Sequence, residues 1–185
     1  MAAGLMGDHG RGMAPNQDAH RWFVAAAVAG VAHALPSLYW ALGGTALVST
    51  LGGWAADWQR KAPMQVLVLL LVIFAVKLAG AFVPLANERG RLPAPRLWRG
   101  LSWAGAGVLV AYGAVNVVAA LAALTGVVAA GPTMDTAALV GHAFLWDPLF
   151  LVWGLLLATG LWRSRYQKTG GRDRAHLVAA APSAR

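Results

Sequence analysis

Residues 64–86 read MQVLVLLLVIFAVKLAGAFVPLA, and a single charged side chain, Lys77, interrupts this apolar stretch. A helix needs about 20 mostly apolar residues to cross the hydrocarbon core of a bilayer. The apolar residues here are continuous rather than alternating, which is typical of a membrane helix and not of a barrel strand. This stretch therefore predicts a membrane-spanning helix.

Three further stretches meet the same criterion. Residues 22–42 and 101–130 contain no Asp, Glu, Lys or Arg, and residues 137–162 contain one such residue, Asp147. The sequence therefore predicts an all-α polytopic membrane protein, a four-transmembrane-helix bundle over residues 21–163. Polar, Gly-rich residues 1–20 are expected to be a flexible segment, and residues 164–185 a basic flexible tail.

The composition of the whole chain agrees with a membrane protein. Of its 185 residues, 58% are hydrophobic and 12% charged, against about 45–50% apolar and about 25% charged for a soluble domain. So few charges cannot cover the surface of a soluble globule of this size. The chain has no Cys, which excludes disulfides, thiolate metal sites and thiol catalysis.

Basic residues are unequally divided between the two ends of the predicted helices. Twelve of the 15 Lys and Arg residues precede the first span, separate the second from the third, or follow the fourth. The positive-inside rule therefore predicts a multi-pass protein of the inner (cytoplasmic) membrane, with both termini cytoplasmic. Because these residues lie at span ends, beside anionic lipid, the net charge of +8 does not indicate a nucleic-acid partner.

Polar side chains inside a bilayer are costly, so those in the predicted spans are the candidate functional residues. His33 shares one helix face with Ala25, Ala29 and Ser37, at intervals of four residues, and small residues favour a face that packs against other helices. Depth places five of these side chains, His33, Tyr39, Asn116, His142 and Asp147, in the outer half of the bundle, and Lys77 and Tyr112 complete a predicted intramembrane polar cluster. Its candidates are His33, Tyr39, Lys77, Tyr112, Asn116, His142 and Asp147.

Two local features leave alternatives open. Lys77 either extends to the cytoplasmic surface along its own stem or pairs with Asp147, the one acidic residue within the spans. Asp147 precedes Pro148, so the last helix is either kinked there or broken, with Asp147 as the cap of a second segment.

The loop at residues 43–63 contains Trp54 and Trp58, four residues apart. A short helix could place both rings at the outer interface of the membrane. The alternative is a lid over the outer end of the bundle.

Two motifs resemble a known family. His33-Ala-Leu-Pro-Ser-Leu-Tyr-Trp-Ala-Leu-Gly-Gly44 resembles its first-helix signature, in which Tyr-Trp-Ala-Leu-Gly-Gly is the specific part, and Trp146-Asp-Pro-Leu-Phe-Leu-Val-Trp-Gly154 resembles its last-helix signature. The family consists of small bacterial, mainly actinobacterial, four-span integral membrane proteins of unknown function. The resemblance covers roughly residues 22–162; it implies a four-helix membrane fold and no catalytic residues.

No Ser-His-Asp arrangement, phosphate loop or metal-ligand spacing occurs in the sequence. We therefore expect no catalytic residues, no metal and no cofactor, and a non-catalytic bundle in the lipid bilayer that binds lipid or a partner, either as a homo-oligomer or in a larger membrane complex. A carrier or channel-like protein that uses Asp147, Lys77 and His33 is the alternative. A haem-binding redox protein with His33 and His142 as iron ligands is a third hypothesis.

Overall fold

The computed structural model describes residues 17–129 and 135–179, with residues 166–179 described by their backbone only. Most of the segment expected to be flexible at the N-terminus, and most of the predicted third loop, lie outside the described residues. Within the described ranges all regular structure is helical, which confirms the all-α prediction.

Six α-helices and two short turns of other helical types follow one another along the described chain. The helices are α1 (Gln17–Ala41), α2 (Gly53–Lys61), α3 (Pro63–Glu88), α4 (Pro95–Leu124), α5 (Thr136–Gly141) and α6 (Asp147–Ala179). A 3₁₀ turn, Val48–Leu51, precedes α2, and a π-helical turn, His142–Trp146, joins α5 to α6. Pro63 and Pro95 start their helices, where the missing N–H of proline costs no hydrogen bond.

Four helical stretches are long and apolar enough to cross a membrane, as predicted. They are Gln17–Ala41, Pro63–Glu88, Pro95–Leu124 and Thr136–Arg165. The third stretch begins at Pro95 and ends at Leu124, whereas the predicted span covers residues 101–130. Gly126 ends it, with a φ of 74° that glycine adopts without strain after a helix terminus.

The last span is continuous through Asp147, so it is not broken there. Asp147 has helical backbone angles, with φ −79° and ψ −34°. The cap at the start of the span is Asp135 instead, whose carboxylate accepts from the Ala138 N–H at 2.7 Å. The widened π turn just before Pro148 is a common cause of local distortion in a continuous helix.

Helix α6 also continues beyond the predicted end of the membrane domain at residue 163. Its backbone is helical through Ala179, and the basic flexible tail from residue 164 stays a prediction. The segment that follows the span, Ser164-Arg-Tyr-Gln-Lys168, contains neither Gly nor Pro, so no helix-breaking residue ends the helix at that point.

Helices α1 and α6 form the centre of the bundle, with α3 packed on α1 and α4 packed on α6. Small residues allow these close approaches. A Cβ at Gly30 of α1 would lie 2.7 Å from the Trp153 ring of α6 and 2.8 Å from the Ala81 Cβ of α3. By contrast, only 11% of the apolar stretch of α3, and likewise of α4, is buried within the bundle, so these two helices present their apolar faces outward.

We expect Gly113→Ala to destabilise the protein, because α4 and α6 touch through their backbones at this point. The new Cβ would lie 2.7 Å from both the Asp147 carbonyl oxygen and the Leu151 nitrogen. Overpacking of this kind costs about 1–3 kcal/mol, which should lower the Tm in detergent by several degrees.

Gly107→Ala is the matched control on the same helix, since its Cβ would have no neighbour within 4 Å. Alanine favours helix over glycine by about 1 kcal/mol, so this variant should be as stable as the wild type or more so. Equal Tm values for the two variants would contradict the close packing of α4 on α6.

Candidate functional site

A cavity of about 500 Å³ lies at the end of the bundle that carries α2. Helices α1, α3 and the α5–α6 region form its walls, while α4 contributes one residue, Tyr112. Most of its lining is apolar or aromatic. The lining residues are His33, Pro36, Ser37, Trp40, Val48, Leu51, Gly52, Trp54, Ala55, Trp58, Gln59, Val66, Leu69, Leu70, Ile73, Lys77, Tyr112, Ala138, His142, Trp146, Asp147 and Phe150.

Residues 43–62, here called the lid, cover one end of this cavity. The Gln59 side-chain amide donates to the backbone carbonyls of Trp40 at 3.0 Å and Gly44 at 3.1 Å. On the other side of the lid, the Trp146 Nε1–H donates to Thr50 Oγ1 at 2.9 Å. Hydrogen bonds therefore connect the lid both to the end of α1 and to the π turn.

Trp54 and Trp58 belong to this lid and line the cavity. Their rings lie 6.3 Å apart between centroids, as the four-residue spacing predicts, and both side chains remain partly exposed. The loop contains the short helix of one alternative and lines the cavity as in the other, so features of both predicted alternatives occur together.

Lys77 points into the bundle. It neither extends to the cytoplasmic surface nor pairs with Asp147, the two alternatives that the sequence leaves open. Its Nζ donates to Ser37 Oγ at 2.9 Å and lies 3.4 Å from the His33 carbonyl oxygen. It also lies 5.8 Å from the centroid of the Phe150 ring. In the described part of the chain, no ion pair joins Lys77 to Asp147 or to another carboxylate.

Asp147 is paired with His142 instead. Asp147 Oδ2 and His142 Nδ1 lie 2.9 Å apart, with the Asp147 side chain 1% exposed and that of His142 24% exposed. Neighbours on one face of an α-helix are three or four residues apart, so residues five apart would point in different directions. The π turn between them, with its i→i+5 repeat, brings the two side chains together.

His33 is buried on the inward face of α1, as the spacing predicts. Its ring packs against Phe150, with 3.8 Å between centroids, and lies 6.3 Å from the Trp146 ring. Both ring nitrogens are buried and neither has a hydrogen-bond partner of normal geometry. An iron bound at His33 would therefore require Phe150 to move.

Of the remaining three candidate residues, one lines the cavity and two lie outside it. Tyr112 lines the cavity, edge-on to Phe150 with centroids 5.5 Å apart. Asn116 Nδ2 donates to the carbonyl of Tyr112 in its own helix at 2.9 Å. The Tyr39 hydroxyl accepts from the Ala46 N–H at 3.3 Å, at the exposed side of the lid. Neither Asn116 nor Tyr39 lines the cavity.

Five of the seven candidates thus line one cavity, namely His33, Lys77, Tyr112, His142 and Asp147. Sequence reasoning missed Ser37 as the partner of Lys77, although its place four residues after His33 signals the same helix face. It also missed Gln59, whose bonds are to backbone carbonyls and leave no pattern in the sequence.

Residues 30–157 match the family described as Protein of unknown function (DUF3995). The chain belongs to this family. The match confirms the resemblance to a family of unknown function, and it includes every residue that lines the cavity of this DUF3995 protein. No curated protein and no solved structure matches the chain.

We expect Gln59→Leu to loosen the lid, because the variant loses the hydrogen bond from α2 to Trp40 of α1 and the bond to Gly44 within the lid. At about 0.5–1.5 kcal/mol for each bond, hydrogen–deuterium exchange over residues 43–52 should become about tenfold faster. Exchange in the middle of α1 should not change.

Gln65→Leu provides the control, since Gln65 lies on an exposed face of α3 outside the cavity. Its lid should exchange as in the wild type. Unchanged lid exchange in Gln59→Leu would show that Gln59 does not hold the lid.

Proposed function

We propose that this protein is a non-catalytic membrane protein that binds one lipid-like molecule in the cavity. The observation that carries the proposal is the cavity itself, about 500 Å³ and lined mainly by aromatic and aliphatic side chains. Pockets that bind drug-sized ligands measure about 300–1,000 Å³ and combine apolar walls with a few polar groups. Lys77 and the His142–Asp147 pair are the polar groups that would orient the ligand.

The surroundings of Ser37 support a binding site rather than a catalytic one. Ser37 Oγ lies beside Lys77, an arrangement that could in principle activate a serine. The Ser37 residue is only 2% exposed, however, and it lies inside α1, where backbone N–H groups bond to the preceding turn. Those N–H groups are therefore not free to stabilise an oxyanion, as acyl transfer requires.

The outward apolar faces of α3 and α4 support a place within the lipid bilayer. Large apolar side chains such as Val76, Val108 and Val115 are each 66% exposed on these helices, and lipid tails or a second copy of the chain would cover them. The distribution of basic residues favours the inner membrane with cytoplasmic termini. A homo-oligomer or a larger membrane complex would use the same faces.

We expect native mass spectrometry of the detergent-purified protein to detect one bound lipid-like mass, and Ile73→Trp to remove it. Ile73 lines the cavity, so the larger indole would occupy the ligand's space. Val72→Trp is the matched control, because Val72 is the adjacent residue and faces outward, 54% exposed.

A bare polypeptide mass for the wild type, or equal retention in both tryptophan variants, would contradict binding in the cavity. A visible spectrum of the same sample tests the haem alternative. A Soret band that His142→Ala abolishes would favour haem over a lipid-like ligand.

A carrier or channel is the second candidate function, favoured by the polar groups that share the cavity. Lys77, His33 and the buried Asp147 all line it, and buried ionisable groups of this kind mark ion pathways in many membrane proteins. These groups lie on three different helices, so movement of one helix would change their separation.

Asp147→Asn distinguishes the two candidates in proteoliposomes that contain a pH-sensitive dye. The lipid-binding function predicts the same slow proton leak for the wild type and the variant. A wild-type flux well above that of empty liposomes, abolished in Asp147→Asn but not in the exposed-site control Asp57→Asn, would favour the carrier instead.

A further inference from the structure

We infer that the ligand of the cavity is an amphiphile with a singly charged acidic head, a carboxylate or a phosphodiester, and that Lys77 binds this head. The inference rests on the proposed function and adds the chemical class of the ligand. It follows from the charges around the cavity and from the path of its apolar wall.

Lys77 has polar partners but no counter-charge. An ammonium has three N–H donors, and its two hydrogen-bonded partners are neutral oxygens, the Ser37 hydroxyl and the His33 carbonyl. A charge taken out of water is costly unless an opposite charge accompanies it. An acidic head would supply that charge and accept the remaining N–H.

The other ionisable groups around the cavity do not serve as that counter-charge. Among the residues that the structure describes, Asp147 is the one carboxylate that lines it, and an oxygen of this buried side chain is bonded to His142. The His33 imidazole is either neutral or cationic, and the Tyr112 phenol is uncharged near neutral pH, so neither supplies a negative charge. The described residues therefore place no anion beside the Lys77 ammonium, which matches a head with one negative charge.

A cationic or neutral head fits this site less well. A cation would approach Lys77 and find Asp147 already bonded and 1% exposed. A neutral head would leave the ammonium without a counter-charge. Of the three classes of head, an acid is thus the one that supplies a counter-charge to the Lys77 ammonium.

The apolar wall of the cavity begins beside Lys77 and runs along α3 toward the lid. Ile73, Leu70 and Val66 line it at helical spacing, and from residue 77 to residue 66 this wall extends about 16 Å at 1.5 Å per residue. The Phe150 ring closes the side near Lys77. This shape accommodates an alkyl chain that leads away from the head.

Competitive photolabelling tests the inference. The probe is a photoactivatable long-chain fatty acid in phosphatidylcholine vesicles that contain the full-length protein, with labelling measured by intact mass. The competitors are oleate, oleyl alcohol and phosphatidylglycerol. We expect oleate to compete about 10- to 100-fold better than oleyl alcohol in the wild type and in the control Lys61→Met, whose lysine is exposed on α2.

In Lys77→Met the preference for the acid should disappear, while Ile73→Trp should prevent labelling by filling the cavity. Competition by phosphatidylglycerol as strong as that by oleate would identify a phosphodiester lipid as the source of the acid, and weak competition a free carboxylate. Since Lys77→Met removes a charge whose partners in the fold are two neutral oxygens, it should remain folded, which its Tm verifies.

Two different failures can be told apart. If oleate and oleyl alcohol compete equally in the wild type, or the preference survives in Lys77→Met, the acidic head is wrong and the lipid-binding function stands. If the protein is not labelled, or Ile73→Trp is labelled like the wild type, then binding in the cavity fails and the inference fails with it.

Discussion

The contact of Trp153 with the small residues of α1 and α3 determines where the cavity walls lie. Its ring occupies the space that a Cβ at Gly30 would take, and it lies 3.4 Å from the corresponding position at Gly80. Phe150, one turn earlier, stacks on Trp153 with an interplanar angle of 11° and in turn covers His33. The three rings of Trp153, Phe150 and His33 are thus in contact in series, from the core at Trp153 to the site at His33.

A second constraint is the lack of water inside a bilayer, which obliges polar groups to find partners within the protein. His142 and Asp147 satisfy each other, and Trp146 reaches Thr50 in the lid. Lys77 differs from these groups because its partners carry no charge. The polar groups of the cavity are therefore hydrogen-bonded within the protein, while no carboxylate of the described residues is bonded to the Lys77 ammonium.

Much of the fold could be predicted from the sequence, because the length and continuity of apolar stretches are properties of single segments. The four spans follow from them, and the four-residue repeat of Ala29, His33 and Ser37 correctly identifies the buried face of α1. The grouping of polar side chains by their depth in the membrane was less accurate. It placed Tyr39 and Asn116 with the site, but depth does not determine how a helix is rotated, and both residues bond elsewhere.

The π turn at residues 142–146 determines which residues of α6 face the site. A regular helix would need one residue fewer to pass from α5 to α6, so this turn amounts to a single-residue insertion within an otherwise ordinary span. If all the residues were kept but wound as a regular α-helix, α6 would rotate by about 100° relative to α5. The face with Phe150 and Trp153 would then leave the core, or α5 would leave the lid. In lineages that share this cavity, loss of the π turn is thus expected to coincide with the deletion of one residue between Asp135 and Asp147.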